Sequence, residues 1–195
     1  MLLGDIAEIK TGLVLSRKKA DLEYNVQAQY QMITLKNIED DGYFNEEPFE
    51  EFHSQGELGQ QYFTTKGDIL IRLSYPNTAI FIDENYENLL VPSYFVIVKI
   101  KNSSFSPEYV AWLLNTEAVK KELERSQAGT RILSTNKNVL RAIDIKEISL
   151  EKQQVLLKIN SLHQREKRLY KQLIKEKGVY LKNIMQMIVQ EKVEE

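Results

Sequence analysis

Residues 150–192, LEKQQVLLKINSLHQREKRLYKQLIKEKGVYLKNIMQMIVQEK, decide how this chain is organised, because nothing before them reads the same way. The stretch has no proline and favours helix throughout. Val155, Ile159, Leu162, Leu169, Leu173, Tyr180, Ile184 and Met187 recur three, four or seven residues apart, the spacing of a single helix face. Ser149 stands where an N-cap belongs, and Glu151 falls in the first turn, where the helix dipole favours a carboxylate. At about 1.5 Å per residue the helix would run roughly 60 Å, longer than the domain before it is wide. Alone in water it would leave its apolar stripe exposed, so it predicts a partner. Glu166, and Glu176 or Lys177, interrupt the seam, and the competing reading is a helix docked on its own domain. The expected organisation is a head, residues 1–148, followed by a dimerising helix, residues 149–195. Ile159, Leu162, Leu169, Leu173, Tyr180 and Ile184 are the expected dimer interface.

Working outward, 195 residues leave room for one sizeable core in the head. The absence of cysteine excludes disulfides, thiol catalysis and cysteine metal sites, and two histidines exclude a histidine-rich one. No apolar run approaches membrane-spanning length and the opening MLLGDIAEIK lacks a signal-peptide pattern, so a cytoplasmic protein with no membrane partner is expected. The net charge of −2 hides a split: residues 1–150 carry 16 basic and 22 acidic side chains, residues 151–195 carry 10 and 6. Eight acids lie between Glu39 and Glu57, whereas Arg125 to Ile143 holds four cations and no acid. Segregated charge of this kind lets a nearly neutral protein present one face to a polyanion.

The head mixes short strands with a few helices. Gln29–Leu35 alternates, Asp68–Leu73 and Ala79–Asp83 are short apolar runs, and Tyr94–Ile100 is rich in Val and Ile. Turn chemistry separates them at Asp41-Gly42, Lys66-Gly67 and Tyr75-Pro76-Asn77. Strands divided by turns, not by regular helices, predict an α+β fold with a mostly antiparallel sheet. Ser106-Pro107-Glu108 opens a helix through Leu114 with a capping serine and a proline at the first helical position. Asn115-Thr116 breaks it, and Thr116 caps a second helix to about Ser126. Gln127–Arg131 reads as a loop and Ala142–Ile148 as a last strand.

No catalytic constellation stands up: GxSxG, a P-loop, a dinucleotide fingerprint and HExxH are all missing. Glu8-Ile9-Lys10 has the ExK form of metal-dependent nucleases, but Asp5 is too close to serve as the aspartate that pattern needs on a neighbouring strand. His53 among acids reads as a surface histidine before it reads as a ligand. No enzyme, cofactor or metal site is expected.

Binding residues are better represented. Arg17, Lys18 and Lys19 follow the turn at Thr11-Gly12, and Arg72, Tyr75 and Asn77 surround a strand-end turn. Gly129-Thr130-Arg131 and Ser134-Thr-Asn-Lys-Asn138 collect hydroxyls, amides and cations in an acid-free segment. Phosphates take cations, hydroxyls and backbone donors, while base edges are read by Arg, Lys, Asn and Gln. The loops together point to a nucleic-acid reader in preference to a sugar or peptide binder. Arg17, Lys18, Lys19 and Lys137 are assigned to phosphates, Arg72, Asn77, Arg131 and Asn136 to base edges, Tyr75 to stacking or hydrogen bonding in a groove, and Thr130 to the same loop surface.

The order of features resembles a known family. Leu3-Gly4-Asp5-Ile6-Ala7-Glu8-Ile9-Lys10-Thr11-Gly12 resembles the start of a target-recognition domain in type I restriction-modification specificity subunits. So do Thr64-Thr65-Lys66-Gly67-Asp68-Ile69-Leu70-Ile71, the SPEYVAWLLN helix at 106–115, the Ala128-Gly129-Thr130 loop, and Leu140–Leu150 leading to Gln153 and a long helix. The resemblance covers nearly the whole chain. Family members commonly carry prolines just before that glutamine, and Ile148-Ser149-Leu150-Glu151-Lys152-Gln153 has none. A full specificity subunit alternates two recognition domains with two conserved helices, whereas this sequence resembles one half.

The resemblance implies a twisted-sheet target-recognition domain followed by a coiled-coil helix, in a subunit that does no chemistry. Such a subunit reads double-stranded DNA and positions separate methyltransferase and restriction subunits. A half would dimerise through its helix, as a homodimer or with a different half, and two-fold symmetry would make its site an inverted repeat with a fixed gap. The Lys and Arg residues of the dimerising helix are then candidates for docking the methyltransferase. The rival expectation is a coiled-coil interaction module whose head binds protein, favoured by the eight acids between Glu39 and Glu57.

Overall fold

The computed structural model describes residues 1–126 and 134–191 and divides the chain into two compact units, Met1–Gln153 and Gln154–Glu195. The first unit is α+β. After a short helix α1 (Leu3–Ile6), strands β1 (Ala7–Thr11), β2 (Ala28–Met32), β3 (Glu50–Ser54), β4 (Asp68–Arg72), β5 (Ala79–Phe81) and β6 (Phe95–Ile100) precede helices α2 (Pro107–Leu114), α3 (Glu117–Ser126) and α4 (Lys137–Arg141). Helix α5 (Leu150–Glu191) follows. No described helix is long and apolar enough to cross a membrane.

Four strands form an antiparallel sheet in the order β1-β6-β4-β5, and β2 pairs antiparallel with β3 in a second sheet. The apolar runs of β4 and β6 explain their central places. Leu70, Ile80, Ile82, Phe95 and Ile97 join Ile33, Ile38, Leu89 and Val91 in one core. The alternate residues Ile69, Ile71, Val96 and Val98 are equally buried. Since successive strand residues point to opposite faces, the sheet is covered on both. Helix α2 packs against β4 and β5, and the Asn115 side chain finishes the β5 edge. Its Oδ1 accepts from the Ala79 N–H at 2.9 Å and its Nδ2 donates to the Ala79 carbonyl at 2.6 Å, completing backbone groups that an open edge would expose.

Leu13, Met32, Phe52, Leu58, Phe63 and Leu90 form a second core under the β2–β3 sheet. Residues 89–92 run between the two sheets. The Ile33 N–H donates to the Leu90 carbonyl, the Leu90 N–H to Gln31, and the Leu13 N–H to the Val91 carbonyl. A side chain at Gly12 would collide with the carbonyls of Val91 and Pro92, which accounts for the glycine in the opening motif.

The Thr64–Asp68 motif is structural in the same way. Asp68 is buried, and its carboxylate accepts from the Thr65 N–H and hydroxyl at 2.9 Å and from Lys99 Nζ at 2.7 and 2.9 Å. Gly67 supplies the positive φ of 89° that this turn requires. The bonds brace the start of β4 against β6, whose Lys99 lies opposite Asp68 in register.

Several expectations need correction. Ala142–Ile148 is not a strand; Asp144 alone bridges Leu2, and α4, five residues long, precedes it. A lone bridge arises because the segment meets only the first residues of the chain and no neighbouring strand. The Ser106 side chain makes no capping bond; its backbone N–H donates to Gln153 instead. Thr116 does open α3, its carbonyl accepting from the Lys120 N–H at 3.0 Å, while its hydroxyl turns back to the Leu113 carbonyl at 2.7 Å and closes α2. The strands β1 and β3 carry few of the usual cues, being mixed polar segments held by their neighbours' register.

Candidate nucleic-acid interface

Register places the candidate loops. Thr11 lies opposite Val96, Arg72 opposite Phe95, and Ile71 opposite Ala79, so the turn after β1, the β4–β5 turn and the entry to β6 share one end of the main sheet. Gln153 belongs to the other end, close to the exit of β6. Its Oε1 accepts from the Ser106 N–H at 2.8 Å, and its Nε2 donates to the carbonyls of Ser104 and Ile148 at 2.7 and 2.9 Å.

At the loop end, two candidate segments 60 residues apart in sequence come together. Ser74 and Ser134 form an antiparallel bridge, and the Thr135 N–H donates to the Leu73 carbonyl at 2.8 Å. Arg72 is half-buried with its Nε donating to Ser74 Oγ at 2.9 Å, which steadies the guanidinium without consuming its other donors. Tyr75 is 52% exposed beside it, following Ser74 and preceding Pro76 through a cis peptide bond. Lys137 is exposed at the start of α4.

Arg17, Lys18 and Lys19 are exposed but are built against a different element. Lys19 bridges Ser54, and the Lys18 carbonyl accepts from the Gln55 N–H at 2.9 Å, so this basic turn is fixed to the end of the β2–β3 sheet. Thr130 and Arg131 lie outside the described residues.

Two base-reading assignments are corrected. Asn77 is only 2% exposed, with its Nδ2 donating to the Leu73 carbonyl at 2.8 Å, and it takes a positive φ of 52°. It holds the turn instead of reaching out of it. Asn136 caps α4: its Oδ1 accepts from the N–H groups of Asn138 and Val139 at 2.9 and 3.2 Å. A bidentate amide contact to adenine needs that oxygen, so Asn136 as folded does not supply one. Asn77→Ala is expected to destabilise the head by about 1–3 kcal/mol, since it loses the turn bonds and strains a left-handed residue. Asn77→Gly, which tolerates the φ, should recover part of the loss in urea unfolding, and neither change should alter the base preference of whatever DNA is bound.

The acids are spread over two places. The Asp40–Gly42 turn sits against Ala79 and Asn115, and Lys120 Nζ donates to the Asp40 carbonyl at 3.3 Å. Burial pushes the Lys120 amine below its ordinary range, opposed by Asp40, Asp41 and Glu124. Glu50 and Glu51 are exposed on β3, the first within 3.5 Å of Lys36 and the second within 3.7 Å of His53. On β1, Lys10 at 2.7 Å, with Lys101 beyond it at 3.6 Å, holds the Glu8 carboxyl below its usual range. Glu8 is thus engaged in ion pairs, and among the described residues no three His, Asp or Glu side chains converge to hold a metal.

The second unit carries the expected seam. Ile159, Leu162, Leu169, Leu173 and Tyr180 are all about half exposed or more, and Ile184 is half-buried. Sequence reading missed a second stripe. Tyr170, Ile174, Leu181, Met185 and Ile188 are also exposed and fall beside the first face at 100° per residue. The second stripe has the same three-, four- and seven-residue spacing but begins only at Tyr170, whereas the first runs from Val155 near the start of the helix.

No protein-family model and no curated protein matches the sequence. Solved structures do match in shape. A chain from a structure of complex assembly and conformational transition in the type I R-M system superposes with a TM-score of 0.65 at 14% identity, over 88% of this chain and 43% of that one. The HsdS subunit from Thermoanaerobacter tengcongensis superposes with a TM-score of 0.63 at 14% identity, over 87% of this chain and 43% of its own. The chain therefore spans less than half the length of either. An α+β head with antiparallel sheets and a long C-terminal helix is thus a fold shared with type I specificity subunits.

Proposed function

We propose that this chain is a sequence-specific DNA-recognition component of a type I restriction-modification system, equivalent to one half of a specificity subunit. The observation that carries the reading is the shared fold over nearly the whole chain, head and long helix together. The loop geometry supports it: Arg72 and Tyr75 flank a turn held by Asn77 at one end of the main sheet, and the Ser74–Ser134 bridge brings the segment leading to Lys137 beside it. Such a turn presents a guanidinium in fixed geometry, which favours bidentate reading of guanine O6 and N7. Arg17, Lys18 and Lys19 supply phosphate contacts, and Thr130 and Arg131 are further DNA-contacting candidates from the sequence. The chain does no chemistry itself. Two copies, or this chain and a different half, pair through α5 and hold two heads on a bipartite site, with methyltransferase and restriction subunits as partners.

The test is selection of duplexes from a randomised pool by the purified chain. An enriched inverted repeat with a constant gap is the expected outcome; Arg72→Ala should then cost about 1–3 kcal/mol and relax one position of each half-site. A pool that emerges unenriched would remove the reading. The exposed carboxylates of Glu50 and Glu51 favour a second reading, a head that binds protein, and that reading gains if the chain ignores DNA at every salt concentration.

A further inference from the structure

The side of α5 opposite its seam is as ordered as the seam itself. Arg168, Lys175 and Lys182 stand seven residues apart, and Lys171 falls between the first two. At 100° per residue these four occupy an arc of about 60°, centred across the helix from Leu162, Leu173 and Tyr180. All are exposed. From Arg168 to Lys182 the line covers about 21 Å of helix. Gln164 and Gln186 lie in the same arc, flanked by exposed Val179 on one edge and Met185 on the other. Glu166 and Glu176 both fall outside it, toward the seam.

Two features say what such a ridge fits. A protein-docking face is depleted in lysine and centred on apolar or aromatic anchors, whereas contacts to nucleic acid are polar, strongly positive and rich in Lys and Arg. This side matches the second description. It is also the side that stays in water when the apolar seam is covered, so pairing of α5 does not consume it. Duplex DNA carries one charge per roughly 1.7 Å of axis, so about 21 Å of it offers some 12 phosphates to the ridge. We infer that the basic ridge Arg168–Lys171–Lys175–Lys182 is a second, sequence-independent DNA contact, binding the phosphate backbone of duplex DNA in addition to the head loops. The inference rests on the DNA-recognition reading and adds a surface to it.

The ridge contributes affinity without base preference. Its signature is the salt dependence of binding, since every phosphate that a cation ceases to neutralise lowers the slope of log K against log[salt] by about 0.9. The experiment compares the full-length chain with two variants, Arg168→Gln/Lys175→Gln/Lys182→Gln in the ridge and Arg17→Gln/Lys18→Gln/Lys19→Gln in the head. Binding to a random-sequence duplex of 30 base pairs is followed by fluorescence anisotropy from 50 to 300 mM NaCl. Glutamine keeps side-chain length and helix propensity, and circular dichroism checks that α5 persists.

The ridge variant should bind roughly ten- to a hundredfold more weakly at 0.1 M salt, with a slope lower by about 2 to 3. An unchanged slope in the ridge variant with a lowered slope in the head variant would overturn the ridge and keep the head as the reader. The reverse pattern would keep the ridge and remove the head assignment. A wild-type chain that ignores the duplex but binds vesicles of phosphatidylserine through the same three residues would overturn the inference in favour of a lipid surface. Binding to neither, with the ridge triple substitution abolishing capture of a purified methyltransferase subunit, would assign the ridge to protein docking and overturn it as well.

Discussion

Leu169→Glu with Leu173→Glu is expected to turn a dimer of this chain into monomers. Light scattering across a concentration series should give twice the 22.8 kDa chain mass for the unmodified protein and the single-chain mass for the variant. The two leucines matter by position as well as by type. In a fully overlapped antiparallel pair, the two-fold axis crosses the 42-residue helix near its middle, between Leu169 and Leu173. Leu169 then packs near the partner's Leu173, and Leu173 near the partner's Leu169, so the double substitution alters four side chains per dimer. The residues are 57% and 49% exposed in the single chain, so each has about half its apolar surface left to bury, worth roughly 1–2 kcal/mol. Removing four such contributions raises the dissociation constant by about three to six powers of ten before the cost of placing carboxylates in the seam is added.

Ser161→Glu with Gln172→Glu is the control, since both residues lie away from the seam and should leave the mass unchanged. If the unmodified chain is itself a monomer at every concentration, the homodimer is excluded and α5 needs a different partner.

What was legible in the sequence follows from the range of the interactions. The alternation and apolar density of β4 and β6 are written in consecutive residues, and the α5 seam repeats within every two turns, so local reading finds them. Asn115-Thr116 separates α2 from α3 as expected, but the reason is visible only in three dimensions, where the Asn115 amide closes the edge of β5 36 residues away. The same distance effect governs the candidate site. The meeting of Ser74 with Ser134 joins two polar turns that carry no periodicity. Asn77 and Asn136 have the amide chemistry of base readers, and sequence does not distinguish an amide aimed at solvent from one spent on its own turn or cap. The acid-free composition near Arg125–Ile143 carries no signal of secondary structure. It concealed α4, whose five residues are too short to show a helical period.

The other large effect belongs to Gln153. The residue is fully buried, and its amide divides its bonds by chemistry: the oxygen takes the Ser106 N–H at the start of α2, while the nitrogen gives to Ser104 and Ile148. One side chain thereby ties the loop after β6 to the chain entering α5. Gln153→Leu keeps much of the volume and removes all three bonds, leaving one donor and two acceptors to find water. A loss of roughly 2–4 kcal/mol in urea unfolding is expected, less than three full penalties because Ser104 is exposed.

Gln153→Glu should be worse at neutral pH despite being closer in shape. Its oxygen can still accept from Ser106, but a carboxylate oxygen now faces two carbonyl oxygens in a buried site. Both features disfavour the charged form, so the folded-state pKa of the new carboxyl rises above its unfolded value of about 4.3. The penalty is then smallest below that value, where the protonated acid donates to one carbonyl, and grows as pH climbs through the raised folded pKa. Stability of the glutamate variant relative to the leucine variant should therefore improve on acidification between about pH 7 and 4. A difference between the two that stays flat across that range would mean the glutamate escapes to solvent, and that Gln153 is less tightly fixed between Ser104, Ser106 and Ile148 than these bonds require.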